Sequence, residues 1–404
     1  MKITKNMKSI LFIVDRIYPT DELFIEEIYA KMIPDCGFKV YFIMRSSNTK
    51  IISQVIWHGK SVYLIPNDRL SKNPLYRFKC WIKNSYYIYK VIKKLKVNIV
   101  QVRNWEYGIL IAIILSKYFS FQTIFQKSYP REQMALDSID NKHGFIYYLK
   151  KVRIILRYQI SVYAMKLCDK IFPISKEMKI NLIKDAIPGN KMTIIPYGSI
   201  VPPSPNPIEI KHLKEYLNCD KKIVFLYFGA SEKLRKIEFI IDAFEKVNKE
   251  RPNTILILLG AEQVDLKRLE KYIHKKNLAN VTRLIGKVPR IDVINYITIS
   301  DITLSIIPPL KYYLVSTPAK LIESMVLGKP VIANNLPFQQ KILMESKGGI
   351  CIEYDLDELT NSMIYLADHL QDASKMGKAG QDYIINNLSF NAIVDKMKNV
   401  YDSF

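Results

Sequence analysis

The chain is short of what several protein classes require. Its 404 residues hold five cysteines, Cys36, Cys80, Cys168, Cys219 and Cys351, scattered, odd in number and without a C-x-x-C pair. That pattern excludes a disulfide-stapled scaffold and a zinc knuckle, and it suits a reducing cytoplasm. The five histidines are equally dispersed, with no H-x-x-x-H. No run approaches the ~18–20 apolar residues of a membrane span. The longest candidate, 108–115, is closed by Lys117. The basic start is followed by an apolar run of five, 10–14, that ends at Asp15 with no small-residue cleavage site. A first strand fits it better than a secretory signal. Only 14 glycines leave little room for flexible linkers. There is no G-x-G-x-x-G after the first strand, which removes the usual support for a dinucleotide cofactor.

Acidic residues are also scarce in one place. Residues 1–200 carry 33 basic and 14 acidic side chains, a balance of +19, against +3 for the remainder. Residues 51–100 set ten basic side chains against Asp68 alone. A solvated surface needs no such asymmetry; an anionic membrane surface or another polyanion would explain it. No nucleic-acid-binding motif accompanies the charge, so no nucleic acid is expected.

What is present is alternation. A 404-residue chain should divide into two domains, because single cores stop growing near ~250–300 residues. Strand-like runs at 8–14, 39–44, 98–102, 123–126, 169–175 and 192–196 alternate with helix-like stretches. Apolar residues at 24, 25, 28 and 32 mark a helix whose N-terminus lies near Asp21. Residues 127–144 read as a polar loop, and 145–168 as a long helix. Residues 199–207 hold four prolines, a stiff extended connector. The pattern then restarts with strands at 222–228, 254–259, 281–284 and 301–306. Helices are expected at 237–249, 356–370 and 373–387, with a last amphipathic helix at 389–404. The expected fold class is α/β: two doubly wound, Rossmann-like parallel-sheet domains with a cleft between them. The boundaries are 1–198, a linker 199–208, and 209–388, the final helix packing back on the first domain.

Two stretches of the first half invite function. Residues 73–96 interleave Tyr76, Phe78, Trp81, Tyr86, Tyr87 and Tyr89 with seven lysines and arginines. Either a half-buried helix with solvated lysines or an interfacial helix resting among lipid head groups fits that composition. Arg103 follows a strand C-terminus, where open α/β sheets bind ligands, although a surface-loop arginine would look the same.

In the second half, 316–333 reads as loop, helix, tight turn and strand. Thr317 suits an N-cap and Pro318 a first turn. Leu321, Ile322, Met325 and Val326 give a buried face. Gly328 suits a left-handed C-terminal position, Pro330 stops continuation, and 331–333 is a buried strand. The helix N-terminus is a natural seat for phosphate. Lys320 and Glu323 are three residues apart; a surface ion pair and a pair of ligand-binding groups both remain open.

Several stretches together resemble the retaining glycosyltransferases of family 4, group 1 glycosyltransferases with the GT-B fold. They are Lys170-Ile171-Phe172-Pro173-Ile174-Ser175, Thr193-Ile194-Ile195-Pro196-Tyr197-Gly198, the loop Gly229 through Lys236, and Ile322-Glu323-Ser324-Met325-Val326-Leu327-Gly328-Lys329-Pro330-Val331-Ile332-Ala333. Pro19 through Ile28 is similar to a version of the N-terminal motif. The resemblance implies that Glu323 binds the ribose hydroxyls of a nucleotide sugar. It implies that Arg235 and Lys236 neutralise the leaving diphosphate, and that Ser316, Thr317, Lys320, Gly229 and Gly286 line the donor site. Arg103 stands where many relatives have a histidine near the transferred sugar. The chain departs from the pattern at Val315, where a first glutamate is expected, and at Ala230, where an arginine usually follows the glycine. It has Asp21-Glu22 in place of an N-terminal glycine pair.

The resemblance thus implies a hexosyltransferase-type enzyme. It would move a sugar from a UDP- or GDP-sugar to a glycan or lipid-linked acceptor, with no cofactor and no metal. Surface polysaccharide, lipid-linked glycan or glycolipid synthesis would be its setting. Its place would be cytoplasmic, peripheral at the inner face of the membrane. A catalytically impaired scaffold that partners another transferase and a nucleotide-sugar epimerase are the alternatives.

Overall fold

The computed structural model describes residues 7–20, 22–47, 53–67, 71, 73–137, 139 and 144–404. Two compact units emerge: Met1–Pro196 with Phe390–Phe404, and Tyr197–Ser389.

The first unit is built on a seven-stranded sheet in the order β3-β4-β2-β1-β5-β6-β7. The strands are β1 (Ser9–Ile17), β2 (Lys39–Arg45), β3 (Ser53–Trp57), β4 (Lys60–Ile65), β5 (Ile99–Arg103), β6 (Gln122–Lys127) and β7 (Lys170–Pro173). All pairings are parallel except β3 with β4. Parallel strands are covered on both faces, so they read as unbroken apolar runs; Ile10 to Val14 are all buried. The strand-like runs of the sequence do not include β3 and β4. The alternating half-buried pattern of β3 belongs to an antiparallel edge, joined to the more deeply buried β4 by a two-residue turn with His58 and Gly59 both at positive φ.

Asp21, near which the helix start is expected, lies outside the described residues. The body of that helix, Phe24–Met32, is wound as a π-helix, with the Ile33 N–H donating to the Ile28 carbonyl five residues back. Residues 127–144 are not simply loop: Arg131–Asp137 is helical, and Glu132 pairs with Lys127 at 3.1 Å. The run 192–196 does not complete a strand. Thr193 N donates to Ile171 O and Ile195 N to Pro173 O, both at 3.0 Å. Pro173 has no N–H to return the bond, which leaves the ladder one-sided.

The last helix, Phe390–Asp402, belongs to this first unit. Buried Tyr401 donates to Gln101 Oε1 at 2.6 Å. Lys8 Nζ donates to the carbonyls of Tyr401, Asp402 and Phe404 at 3.2, 3.0 and 2.7 Å, placing a cation at the helix C-terminus.

The second unit is a six-stranded, all-parallel sheet in the order β10-β9-β8-β11-β12-β13. These are β8 (Ile223–Phe228), β9 (Thr254–Ala261), β10 (Thr282–Gly286), β11 (Ile302–Ser305), β12 (Val331–Asn334) and β13 (Gly349–Ile352). Period-two alternation divides the core. Phe225, Tyr227, Leu256 and Leu258 pack on one face with Ile240, Ile241 and Phe244 of the helix Ile237–Glu250. Val224, Leu226, Ile255 and Ile257 pack on the other with Ile297 and Ile299. Pro207 is not part of an extended connector. It opens the helix Pro207–Tyr216, with Asn206 capping the Ile208 N–H at 3.0 Å. A proline at a first helical position loses nothing, because its missing N–H would have had no partner there.

Strand order reverses at β8, which has β9 on one side and β11 on the other. Loops leaving the C-terminal ends of two such strands frame the crevice in which open α/β sheets bind ligands. In this unit those loops are 229–236 and 306–318.

Candidate functional site

The chain turns sharply after β8. Gly229 has φ +111° and Gly260, the next-to-last residue of β9, has φ +103°. A Cβ on Gly260 would lie 2.9 Å from the Gly229 carbonyl oxygen, so the two backbones meet without side chains between them. Gly229 N donates to Leu259 O at 2.9 Å. The loop after Gly229 is clamped from the helix that succeeds β9, Gln263–Lys275. Arg268 donates to the Ser231 carbonyl at 2.6 Å and pairs with Asp265 and Glu238. Tyr227, fully buried, donates to the Ala230 carbonyl at 2.7 Å.

Arg235 closes the single 3₁₀ turn Lys233–Arg235. Its guanidinium lies over the Tyr313 ring, 4.3 Å from the centroid, and its Nε donates to Glu232 at 3.2 Å. Tyr313 comes from the loop after β11, which Asn334 braces by bonding Ile307 N at 2.8 Å and Ile307 O at 3.0 Å. Lys236 takes a left-handed conformation, φ +49°, at the start of the next helix, and its side chain is exposed. The two basic residues thus differ: Arg235 is sunk against aromatic rings, whereas Lys236 stands in solvent.

The stretch 316–333 differs in detail from its expected form. The helix runs Ala319–Val326 with Pro318, not Thr317, in the cap position, and no side chain caps it. Thr317 is buried, and its hydroxyl accepts from Tyr197 N at 3.3 Å instead. Ser316 donates to the Tyr313 carbonyl at 2.7 Å. Gly328 has φ +71°, and Val331–Asn334 is buried throughout. Leu321, Ile322, Met325 and Val326 form the buried face, packing against Ile342, Leu343 and Ile384.

Lys320 and Glu323 do not form a surface pair. Glu323 Oε1 accepts from Tyr197 Oη at 3.4 Å and from Arg290, whose Nη2 also reaches Tyr197 Oη at 3.2 Å. Arg290 is a residue that the sequence motifs do not single out. It opens the helix Arg290–Ile299, which follows β10 after a short loop, so the C-terminal-end rule that points to Arg103 would also have found it. Gly286, at the end of β10, has only ordinary neighbours around its Cβ position, the nearest being Leu266 at 3.6 Å. Lys320 points the other way, its Nζ 3.7 Å from the Tyr227 ring centroid and buried, with no hydrogen-bond partner among the described residues. Burial, and then Arg235, push the Lys320 ammonium well below the usual lysine range.

Position 315 is a buried valine, which offers no carboxylate at that point. Among the described residues no group of three or more His, Cys, Asp or Glu side chains could hold a metal ion.

Arg103 ends β5 on the first unit. It is buried, not the solvated loop residue that its position also allowed. Its Nη1 pairs with Glu22 at 2.5 Å, and its guanidinium lies over Phe24 at 5.2 Å. Nearby strand ends carry a second pair of cations on one carboxylate: Asp15 accepts from Arg45 at 2.7 Å and from Arg131 at 2.8 Å. Burial alone would raise the Glu22 carboxyl; Arg103 and Arg16 outweigh it and hold the group below the usual range.

The two α/β units define a class of architecture: the fold is GT-B. Residues 209–383, which contain Arg235, Arg290, Lys320 and Glu323, match the family model of glycosyl transferases group 1. An uncharacterised glycosyltransferase of Methanocaldococcus jannaschii is 22% identical over 385 residues, covering 95% of this chain and 91% of that protein. The UDP-Gal:α-D-GlcNAc-diphosphoundecaprenol α-1,3-galactosyltransferase of Escherichia coli is 22% identical over 331 residues, 79% of each chain. Among solved structures, the sucrose-phosphate synthase of Thermosynechococcus elongatus superimposes with a TM-score of 0.74 at 15% identity, covering 98% of both chains. Anabaena HepE, in complex with UDP-glucose, gives 0.72 at 15% identity over 98% of this chain and all of its own.

Proposed function

We propose that the chain transfers a sugar from a nucleotide diphosphate donor to an acceptor hydroxyl, with retention at the anomeric carbon. The observation that carries this reading is the pairing, at the switch point of the second sheet, of a held carboxylate with sunken cations. Glu323 Oε1 is fixed by Tyr197 and Arg290, and Oε2 has no partner among the described residues. That oxygen is placed to accept from a ribose hydroxyl. Arg235 and Lys236 face the diphosphate, with Gly229, Gly286, Ser316, Thr317 and Lys320 lining the same donor site.

In the reaction the bond from the anomeric carbon to the diphosphate oxygen breaks, and its electron pair leaves on the diphosphate. The acceptor oxygen bonds to that carbon from the same face and passes its proton to the departing diphosphate. No side chain has to act as nucleophile. Positive charge aimed at the diphosphate lowers the barrier, in the manner of preorganised oxyanion stabilisation. The donor reading is tested by a thermal-shift panel of UDP, GDP, ADP and their sugars. A ligand at 100 times its Kd raises stability by ~2.7 kcal/mol. A flat response to every nucleotide removes the donor site, and with it the transferase.

The acceptor side of the proposal is a lipid-linked glycan at the cytoplasmic membrane face. The helix Pro74–Leu95 exposes Leu75, Phe78, Trp81, Ile82 and Tyr86 beside exposed Arg77, Lys79 and Lys83. The helix Phe145–Leu167 exposes Phe145, Ile146, Tyr148 and Leu149 beside Lys150 and Arg153. Apolar side chains ringed by cations suit an anionic bilayer surface. Among the described residues no helix is long and apolar enough to cross a membrane. The related galactosyltransferase of Escherichia coli carries a diphosphoundecaprenol-linked sugar in its name. Sedimentation with anionic and neutral liposomes checks the surface: binding to anionic vesicles alone is expected, and equal binding to both, or none, refutes it.

A further inference from the structure

The buried ammonium of Lys320 has no acceptor among the described residues, and its surroundings show what would supply one. The Nζ rests on the Tyr227 ring, at 3.7 Å from the centroid. A Cβ on Gly229 would lie 3.7 Å from that same Nζ, so the turn after β8 packs directly against the ammonium with no side chain between them. Arg235 acts on Lys320 from the loop after that turn, already engaged with Glu232 and stacked on Tyr313. Glu323 is the next charged group along the helix, one turn away on its carboxyl side. The charged groups acting on Lys320 are therefore Arg235, Glu232 and Glu323. An anionic ligand would bring the acceptor that these protein groups do not supply.

We infer that Lys320 is the residue that reads the second phosphate of the donor, and so selects a nucleoside diphosphate over a monophosphate. This rests on the donor-site reading above. With the ribose on Glu323, the phosphate chain runs back along the helix towards Pro318. The groups beyond the first phosphate then reach the space between Gly229, Arg235 and Lys320. A monophosphate ends before it. The position also answers a departure in the sequence: Ala230 cannot supply the cation expected after Gly229, and Lys320 delivers one to the same turn from a different helix.

The arrangement carries a proton signature. In the free protein, burial and Arg235 disfavour the charged form of Lys320; an arriving diphosphate restores it, so binding takes up a proton.

The test is isothermal titration of UDP and UMP into the wild type and Lys320→Met, with each titration run in two buffers of different ionisation heat. Removing one charge-assisted hydrogen bond weakens binding about tenfold to about 150-fold. The wild type should prefer UDP by at least about that margin, and Lys320→Met should shrink the preference while leaving UMP affinity unchanged. The proton uptake that accompanies UDP binding should vanish in the variant. Methionine keeps the stem and removes the buried charge, so the variant should melt no lower than the wild type. An unchanged UDP-to-UMP ratio in the variant overturns the assignment of Lys320 alone, with the donor site intact. If neither nucleotide binds the wild type, the donor site itself is wrong and this inference falls with it.

Discussion

Glu323→Gln tests the proposed ribose recognition apart from everything else the carboxylate does. In the free protein the group has one internal task, the contact of Oε1 with Arg290 and Tyr197. The Arg290 side chain is 44% exposed and that of Glu323 19%. A pair open to water on one side contributes ~0–1 kcal/mol to stability. A glutamine keeps an acceptor oxygen for Tyr197, so the expected loss lies at the lower end. For a unit of nearly 200 residues, 1 kcal/mol corresponds to roughly 2–4 °C in Tm. The variant should therefore fold and melt within about 4 °C of the wild type.

Donor binding should respond far more. A hydrogen bond to a charged acceptor is worth ~1.5–3 kcal/mol, which is about tenfold to about 150-fold in Kd. The assay is calorimetric titration with UDP, 2′-deoxy-UDP and pyrophosphate. UDP should weaken by that factor in Glu323→Gln, and pyrophosphate, which has no ribose, should bind unchanged. The deoxy nucleotide closes a cycle: its penalty in the wild type should shrink in the variant, because the partner of the missing hydroxyl is already gone. Full additivity, the same deoxy penalty in both proteins, would show that Glu323 does not touch the 2′-hydroxyl. An unchanged UDP affinity would remove the ribose assignment altogether. Arg290→Ala should weaken UDP less than Glu323→Gln does, since it frees the carboxylate without removing it.

The same geometry sets other outcomes. Arg235→Gln should lower turnover by ~10²–10³ with a smaller effect on donor affinity, measured as kcat against KM; equal turnover would clear Arg235 of a role at the diphosphate. Gly260→Ala forces a Cβ to 2.9 Å from the Gly229 carbonyl at φ +103°, and should depress Tm and donor affinity together. Donor affinity should fall as pH rises, because the bound state holds Lys320 protonated and the free state less so. The trend should be absent in Lys320→Met. Stability should fall in acid for a different reason: the folded Glu22 carboxyl titrates below its reference of 4.5 because Arg103 and Arg16 outweigh its burial. Its contribution is complete above that value and is lost as pH drops through the folded pKa, a loss Glu22→Gln should abolish in acid melts.

Much of the second unit was legible in the sequence because its signals are local. Buried parallel strands are short apolar runs, and Gly328 and Pro330 punctuate a turn by backbone rules that need no tertiary partner. Where reading failed, a tertiary partner had taken over. Thr317 has the side chain of an N-cap, but its hydroxyl is engaged by Tyr197 N, 120 residues away in sequence. Arg103 sits where a ligand group belongs, and the fold gave it Glu22 and a place in the interior. The π-wound helix after β1 has the apolar spacing of an ordinary one, and no periodicity distinguishes them over nine residues. Lys320 and Glu323 at i and i+3 meet the spacing of an ion pair. Arg290 takes the carboxylate in place of Lys320, and an arginine that starts another helix is invisible to a rule about one helix.

The same competition bears on how the site works without a carboxylate at position 315. Val315 is buried, so a glutamate there would need a partner close by, and Lys320 is the cation on the adjoining helix. A carboxylate paired with Lys320 would leave less positive charge for the phosphates. With valine in its place, the Lys320 ammonium keeps no hydrogen-bonded counter-ion among the described residues. Val315→Glu should therefore lower donor affinity without raising the stability of the free protein, because it buries a second charge in place of a packed apolar side chain. Parallel melts and UDP titrations measure both. A variant that binds UDP as tightly as the wild type would show that Lys320 is not reserved for the donor.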